Sequence, residues 1–339
     1  MITVDGSFGE GGGQIIRTSL GLSLVTGKPF RIEKIRAKRK NPGLQKQHLT
    51  SVTAAAEVGN AEITGATLGS QEITFTPKEI KNGNFVFDIG TAGSTSLVLQ
   101  TVLPALLVSS EKTSLVIRGG THNPLAPPFD FLQKAFLPLL EKMGAKIDID
   151  LVKYGFYPTG GGEINFLIEP PKKLKPIHIN ERGKVVSQSA TALVANLPPH
   201  IAERELNVIR RSLGWDNADL KSEVIKNVRD NANIISITVE FENITEVFTG
   251  FGKRGIAAED VARDVAREVK NYLKTDAPIG EHLADQLLIP FALASGGSFT
   301  TGVLSDHTTT NIEVIEKFLD VRTRKLQIDE KLWRIEIAE

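Results

Sequence analysis

The chain has 339 residues, its 40 Lys and Arg are balanced by 40 Asp and Glu, and it contains no cysteine. That length exceeds what one small core needs, so two or more modules are expected, while disulfides, thiolate metal sites and cysteine nucleophiles are excluded. Zero net charge argues against a surface that attracts polyanions everywhere, and no apolar run approaches the ~20 residues of a membrane span, so a cytoplasmic protein is expected.

In chain order, the start Ile2 to Asp5 reads as a strand rather than a signal peptide. The glycine-rich loop Gly6 to Gly13 follows, and then a helix from about Gln14 to Thr26, with Ile15, Ile16, Leu20, Leu22 and Leu24 near helical spacing. A strand (Phe30 to Arg36), a helix (about Leu44 to Val58) and two short strands (Ala61 to Ile63, Glu72 to Phe75) close this unit. A second pass repeats the order: strand Phe85 to Ile89, helix Thr95 to Val108, strand Ser114 to Arg118, helix Phe129 to Met143, then strands Lys146 to Leu151 and Gly162 to Ile168. The βαβαββ order thus recurs with a period of roughly 80 residues.

The C-terminal part reads as a third copy. It runs through a helix from about His282 to Leu293, strand Ser298 to Val303, a helix from about Thr309 to Leu319, and strands Arg324 to Ile328 and Leu332 to Ile337. Between the second and third copies lies a segment with its own pattern: strand Val185 to Ala192, helix Ile201 to Leu213, strands Asn233 to Phe241 and Thr245 to Gly252, and helix Ala257 to Tyr272. The expected architecture is an α/β fold (α+β layers) of three tandem βαβαββ repeats forming a large domain, with a smaller inserted α/β domain. The boundaries are residues 1–181 and 277–339 for the large domain and 182–276 for the insert.

Two strand-to-helix junctions echo each other, Ile35-Arg36 through Asn41-Pro42 and Ile117-Arg118 through Asn123-Pro124. Free backbone N–H groups and the helix dipole favour anions at such junctions, which points to phosphate. Lys34, Arg36, Lys38, Arg39, Lys40 and Lys46 form the densest basic patch, which charge alone reads equally well as a solubilising edge. The loop Gly6 to Gly13 matches neither the Rossmann nor the Walker A pattern. It carries a carboxylate, Glu10, and a carboxylate beside a phosphate site often holds a divalent cation; a solvated Glu10 is the plain alternative.

Of six histidines, His178 and His200 lack polar neighbours that form a constellation. His307 stands at the strand-to-helix junction of the third unit, after Asp306 and before Thr308-Thr309-Thr310-Asn311. A neutral imidazole there is a nucleophile towards phosphorus; capping of the last helix is the alternative. Ala126-Pro127-Pro128-Phe129-Asp130-Phe131 pairs a helix-start proline couple with two rings that could stack on a base or pack in the core.

Several stretches carry a resemblance to a known family: Glu10-Gly11-Gly12-Gly13-Gln14-Ile15-Ile16-Arg17, Pro42-Gly43-Leu44 with Gln47-His48-Leu49-Thr50, and Gly90-Thr91-Ala92-Gly93-Ser94 with Leu99-Gln100-Thr101. Others are Gly119-Gly120-Thr121 to Pro127-Pro128, Gly155-Phe156-Tyr157-Pro158, Ala284-Asp285-Gln286-Leu287, and His307 with Thr310-Asn311. Over essentially its whole length the chain resembles the RNA 3′-terminal phosphate cyclase family, in its archaeal/bacterial-type catalytic form. The resemblance implies ATP-dependent conversion of an RNA 3′-phosphate to a 2′,3′-cyclic phosphodiester by a ligase-type nucleotidyl transferase. Enzyme-histidyl-AMP and RNA-(3′)pp(5′)A would be the intermediates, and AMP and diphosphate the products released.

By this resemblance His307 is the nucleophile that becomes adenylylated. Glu10 helps to hold a divalent metal, Mg²⁺ or Mn²⁺, and Arg17, Arg36, Arg39, Gln47 and His48 serve phosphates of ATP or RNA. Gln100, Pro127, Asp130, Phe131, Asp285 and Gln286 line the nucleotide pocket. His282 stands where the family often places a stacking tyrosine, which puts the strength of that contact and the choice of nucleotide in question. RNA 3′-phosphate ends and ATP are the implied partners, no membrane is involved, and a homodimer is admitted. A non-catalytic relative that assists ribosomal RNA maturation is the rival reading; retention of His307, Glu10, Arg17, Arg36 and Arg39 together argues against it. A fold analogy with enolpyruvyl transferases fixes no function.

Overall fold

The computed structural model describes residues 1–216 and 218–338. The first unit is β1 (Ile2–Asp5), α1 (Gly13–Thr26), β2 (Phe30–Glu33), α2 (Lys46–Val58), β3 (Glu62–Thr64) and β4 (Ile73–Thr76). Its sheet runs β1-β2-β4-β3, with β1 and β2 parallel and the other pairs antiparallel. The second unit is β5 (Asn84–Asp88), α3 (Thr95–Leu107), β6 (Thr113–Gly119), α4 (Phe129–Phe131), a π-helical turn Leu132–Phe136, α5 (Leu137–Lys142), β7 (Lys146–Lys153) and β8 (Gly162–Glu169). Its order, β5-β6-β8-β7, and its strand directions repeat those of the first sheet.

The third unit starts before the segment read as an insert. β9 (His178–Ile179) is followed by β10 (Val185–Ala195), α6 (His200–Leu213), β11 (Asp219–Ile225), β12 (Ala232–Phe241), β13 (Thr245–Phe251) and α7 (Ala258–Leu273). Only then come α8 (Glu281–Leu293), β14 (Gly296–Thr301), α9 (Asp306–Phe318), β15 (Arg322–Gln327) and β16 (Trp333–Ala338). β9 pairs in parallel with β14, completing the order β9-β14-β16-β15. The third copy is therefore a full βαβαββ unit, interrupted between its first strand and first helix. The intervening sheet has a different order, β11-β10-β12-β13, and its strand β11 has no counterpart in the sequence expectation.

Helix α1 is apolar or small on nearly every side and is buried as that composition requires, with Ile15, Ile16, Leu20 and Leu22 inaccessible to solvent. It touches α3 of the second unit and α9 of the third. Phe30 of β2 packs on Phe75 and, edge-on, on Phe318 of α9 with ring centroids 5.7 Å apart, joining first and third units through one apolar cluster. No helix among the described residues is long and apolar enough to cross a membrane.

α1 and α3 approach closely at Gly21. A Cβ there would lie 2.9 Å from the Thr101 carbonyl oxygen and 3.1 Å from Pro104 Cγ. Glycine costs an exposed helix roughly 1 kcal/mol relative to alanine, so its presence inside α1 reflects the contact. Gly21→Val is expected to lower unfolding stability by about 1–3 kcal/mol through overpacking, read by thermal or urea unfolding; an unchanged or raised midpoint would show that the helices tolerate separation.

Candidate active site

Helices α1, α3, α8 and α9 converge on a cavity of about 460 Å³. Ser305 caps α9, its hydroxyl accepting from the Thr308 N–H at 3.1 Å, so His307 lies in the first helical turn rather than before it. The cap that a plain structural role would have given to His307 is thus supplied by Ser305, and the His307 ring is free to face the cavity and solvent.

A continuous hydrogen-bond chain lies behind that ring. Thr18 Oγ1 donates to Asn311 Oδ1 at 2.7 Å, which turns the Asn311 amide nitrogen to Asp285 Oδ1 at 3.2 Å. Gln14 Nε2 donates to the same carboxylate oxygen, and Gln286 Nε2 donates to Asp285 Oδ2 at 3.1 Å. Gln286 Oε1 accepts in turn from Gln100 Nε2. With its nitrogen committed to Asp285, Gln14 presents Oε1 to His307 Nδ1 at 3.1 Å. A carbonyl oxygen only accepts, so Nδ1 carries a proton, and in the neutral tautomer this selects, the lone pair is on Nε2. Burial pushes the Asp285 carboxyl above its usual range, against the opposing pull of His307, Gln14, Arg17 and Asn311. Three N–H donors nevertheless leave it the role of acceptor.

The adjoining wall carries a buried cation. Burial lowers the Arg17 guanidinium to about 10, Asp285 acting the other way, and its Nε has no hydrogen-bond partner. α1 follows Gly12 with no side-chain hydrogen bond capping it and no acidic residue in its first turn, although the Glu10 carboxylate lies against Gly12 at that end. A Cβ on Gly13 would meet His48 Nε2 at 2.5 Å and Arg17 Nη1 at 2.8 Å, so glycine here lets both side chains close over the helix start. Burial, with Arg17 and Arg36 nearby, depresses the His48 imidazole to about 3 and keeps it neutral.

Of the residues singled out in the sequence, His307, Gln100, Pro127, Phe131, His282, Asp285, Gln286 and Arg17 line the cavity. The others lie off it. The Asp130 carboxylate faces His122 Nε2 at 3.2 Å and Lys134 Nζ at 3.7 Å. The Arg36 guanidinium donates to the carbonyls of Asn41 and Gly43 at 2.7 and 2.8 Å, stapling its own loop. Gln47 Oε1 accepts from the Ser94 N–H at 2.7 Å and ties α2 to the start of α3.

Glu10 forms an ion pair with Arg39, and its N–H donates to Thr310 Oγ1 at 3.3 Å, one turn beyond His307. Its second carboxylate oxygen, Oε2, is buried without a partner. Among the described residues no group of three His, Cys, Asp or Glu could hold a metal by itself. A lone carboxylate with an unmatched oxygen suits a magnesium-like cation held jointly with substrate phosphates.

Sequence reasoning missed Thr18, and it quoted Gln14 and Asn311 without assigning either a role. The available signal was their polarity on helix faces that are otherwise buried. It also missed the wall contributed by the intervening segment: Val247, Thr249 and Phe251 of β13 and Glu268 of α7 line the cavity together with α3 residues such as Leu103.

An apolar chamber that ends in an imidazole and a guanidinium with an unpartnered Nε has the character of an enzyme pocket. Comparison with known proteins gives the class its name. The family model described as RNA 3′-terminal phosphate cyclase matches residues 8–324. A protein of that name from Koribacter versatilis is 52% identical over 321 residues, covering 95% of this chain and 90% of the relative. Namesakes from Ectopseudomonas mendocina and Pseudomonas fluorescens are each 46% identical, over 100% and 99% of this chain and 98% and 97% of their own lengths. The chain belongs to the RNA 3′-terminal phosphate cyclase family and is an enzyme of that activity, which implies RNA and ATP as its partners.

The carboxylate of Glu246 in β13 accepts from the Gly280 N–H, just before α8, at 2.6 Å. Burial raises this carboxyl from 4.5 to about 8, Gly280 opposing the rise and Glu268 adding to it. Between those two values the unfolded chain ionises Glu246 while the folded protein keeps it protonated, so its contribution to stability falls as pH rises. Glu246→Gln retains the acceptor and removes the titration. In urea unfolding it should gain on the wild type towards pH 8 and lose that advantage near pH 4.5; a constant gap across the range would contradict the assignment.

Proposed function

We propose that catalysis runs through a His307–AMP intermediate. His307 Nε2 attacks the α-phosphorus of ATP, an N–P bond forms, and the bond to diphosphate breaks. An oxygen of the RNA 3′-phosphate then attacks the adenylyl phosphorus and displaces the imidazole, giving RNA-(3′)pp(5′)A. The neighbouring 2′-hydroxyl attacks the 3′-phosphorus, releases its proton and expels AMP, leaving the 2′,3′-cyclic phosphodiester. Adenylylation supplies the leaving group that a bare phosphate lacks.

The observation that carries this reading is the Gln14 carbonyl on His307 Nδ1, which leaves Nε2 as the free nucleophile. Asp285 acts one residue further back: by holding the Gln14 nitrogen it fixes which end of the amide meets the imidazole. Arg17, the α1 N-terminus and His48 support binding of the phosphates. Pro127, Phe131 and His282 support binding of the base, with Gln100 and Gln286 at its edge. Glu10 would hold a divalent cation through Oε2, and such a cation would offset charge on the phosphates. We take residues 1–181 and 277–339 as the large domain and 182–276 as the insert, on the strength of the separate four-stranded sheet the insert forms.

Incubation with α-labelled ATP and Mg²⁺ or Mn²⁺ tests the mechanism. The expected product is an acid-labile, base-stable protein–AMP adduct that His307→Ala abolishes. Asp285→Asn should cut its rate of formation by ~10³-fold or more, because an amide at 285 permits Gln14 to flip and place the imidazole proton on Nε2. An adduct that survives His307→Ala, or a wild-type rate in Asp285→Asn, would overturn the scheme.

A further inference from the structure

The basic loop between β2 and α2 has more cationic groups than the site consumes. Arg36 is occupied by the carbonyls of Asn41 and Gly43, Arg39 by Glu10, and Lys34 by Asp5 at 3.0 Å. Lys38, Lys40 and Lys46 are exposed, and among the described residues none of them meets a carboxylate within ion-pair distance, in a chain whose total charge is zero.

The loop is rigidly built. The Gly43 N–H donates to Ile35 O at 2.8 Å and the Leu44 N–H to Ser70 O at 2.9 Å, while the Gly69 N–H returns to Leu44 O at 2.8 Å. The Arg36 staple closes it from within. It reaches the glycine-rich loop that carries Glu10: Lys38 Cδ lies 3.6 Å from where a Cβ on Gly11 would stand. Lys46 opens α2, whose capping box joins Gln45 to His48.

We propose that Lys38, Lys40 and Lys46 form a track for the phosphodiester backbone of the RNA strand upstream of its 3′ end, leading it past His48 and Arg17 towards His307. The inference rests on the cyclase reading for its direction but concerns a different part of the substrate. Ammonium groups on a fixed loop neutralise phosphates without reading bases, so the track holds RNA independently of sequence. It also makes the enzyme prefer a strand to an isolated nucleotide end. The neutral total charge means that this local excess, rather than the protein's overall field, supplies the attraction.

The test is the variant K38Q/K40Q/K46Q. Adenylylation by ATP should be unchanged, which also reports an intact fold. KM for a 3′-phosphorylated oligonucleotide should rise on the order of tenfold, with KM for a dinucleotide 3′-phosphate unaltered, and the salt dependence of oligonucleotide binding should lose about 2 from its log–log slope. Binding of a 3′-hydroxyl oligonucleotide, followed by fluorescence anisotropy without ATP, needs no turnover, so the track stands or falls separately from the proposed intermediate. Equal effects on dinucleotide and oligonucleotide, an unchanged salt slope, or loss of adenylylation in the variant would each overturn the proposal.

Discussion

The carboxylate of Asp285 is the constraint around which the molecule is arranged. It accepts from Gln14 on α1, Asn311 on α9 and Gln286 on its own helix α8, and Gln286 is held in turn by Gln100 on α3. α1 belongs to the first repeat, α3 to the second, and α8 and α9 to the third. One buried acceptor therefore ties together the three copies of a duplicated unit. Each copy contributes a helix, and no copy alone could make the site. A polar network of this kind is valuable only when every member is satisfied, and here Thr18 fixes Asn311 just as Asp285 fixes Gln14.

Satisfying the polar groups does not make the cavity comfortable for charge. Burial raises the Asp285 carboxyl, lowers Arg17 to about 10 and drives His48 to about 3. The wall carries a guanidinium whose Nε has no hydrogen-bond partner, close to the start of α1. On the proposed reading a phosphate would meet that Nε, and the low dielectric that penalises the empty site would strengthen the filled one. The segment between β9 and α8 completes the enclosure with Val247, Thr249 and Phe251, and Glu246 fixes the backbone just before α8.

The repeats were legible because each unit buries whole helices and pairs its strands locally, which leaves strong periodicity in the sequence. The start of the third copy was not legible: β9 has only two residues, too short for any alternation, and its partner β14 lies beyond the intervening segment. β11 was missed because its residues are exposed or half-buried along its length. His307 could be picked out by its polar neighbourhood. Its partner Gln14 could be assigned no role, since the two stand 293 positions apart and a glutamine carries no chemistry until its amide is oriented. Arg36, Asp130 and Gln47 show the converse. The family resemblance implied ligand contacts for them, whereas the fold turns them to a loop carbonyl, a buried histidine and a helix start.

The central claim is that Asp285, through Gln14, sets the tautomer of His307. Nitrogen NMR of protein labelled at histidine measures this directly, with His307→Ala identifying the resonance. The account predicts that the neutral ring is the tautomer with its proton on Nδ1 and Nε2 bare. An imidazole protonated at Nε2 in the wild-type enzyme would contradict it.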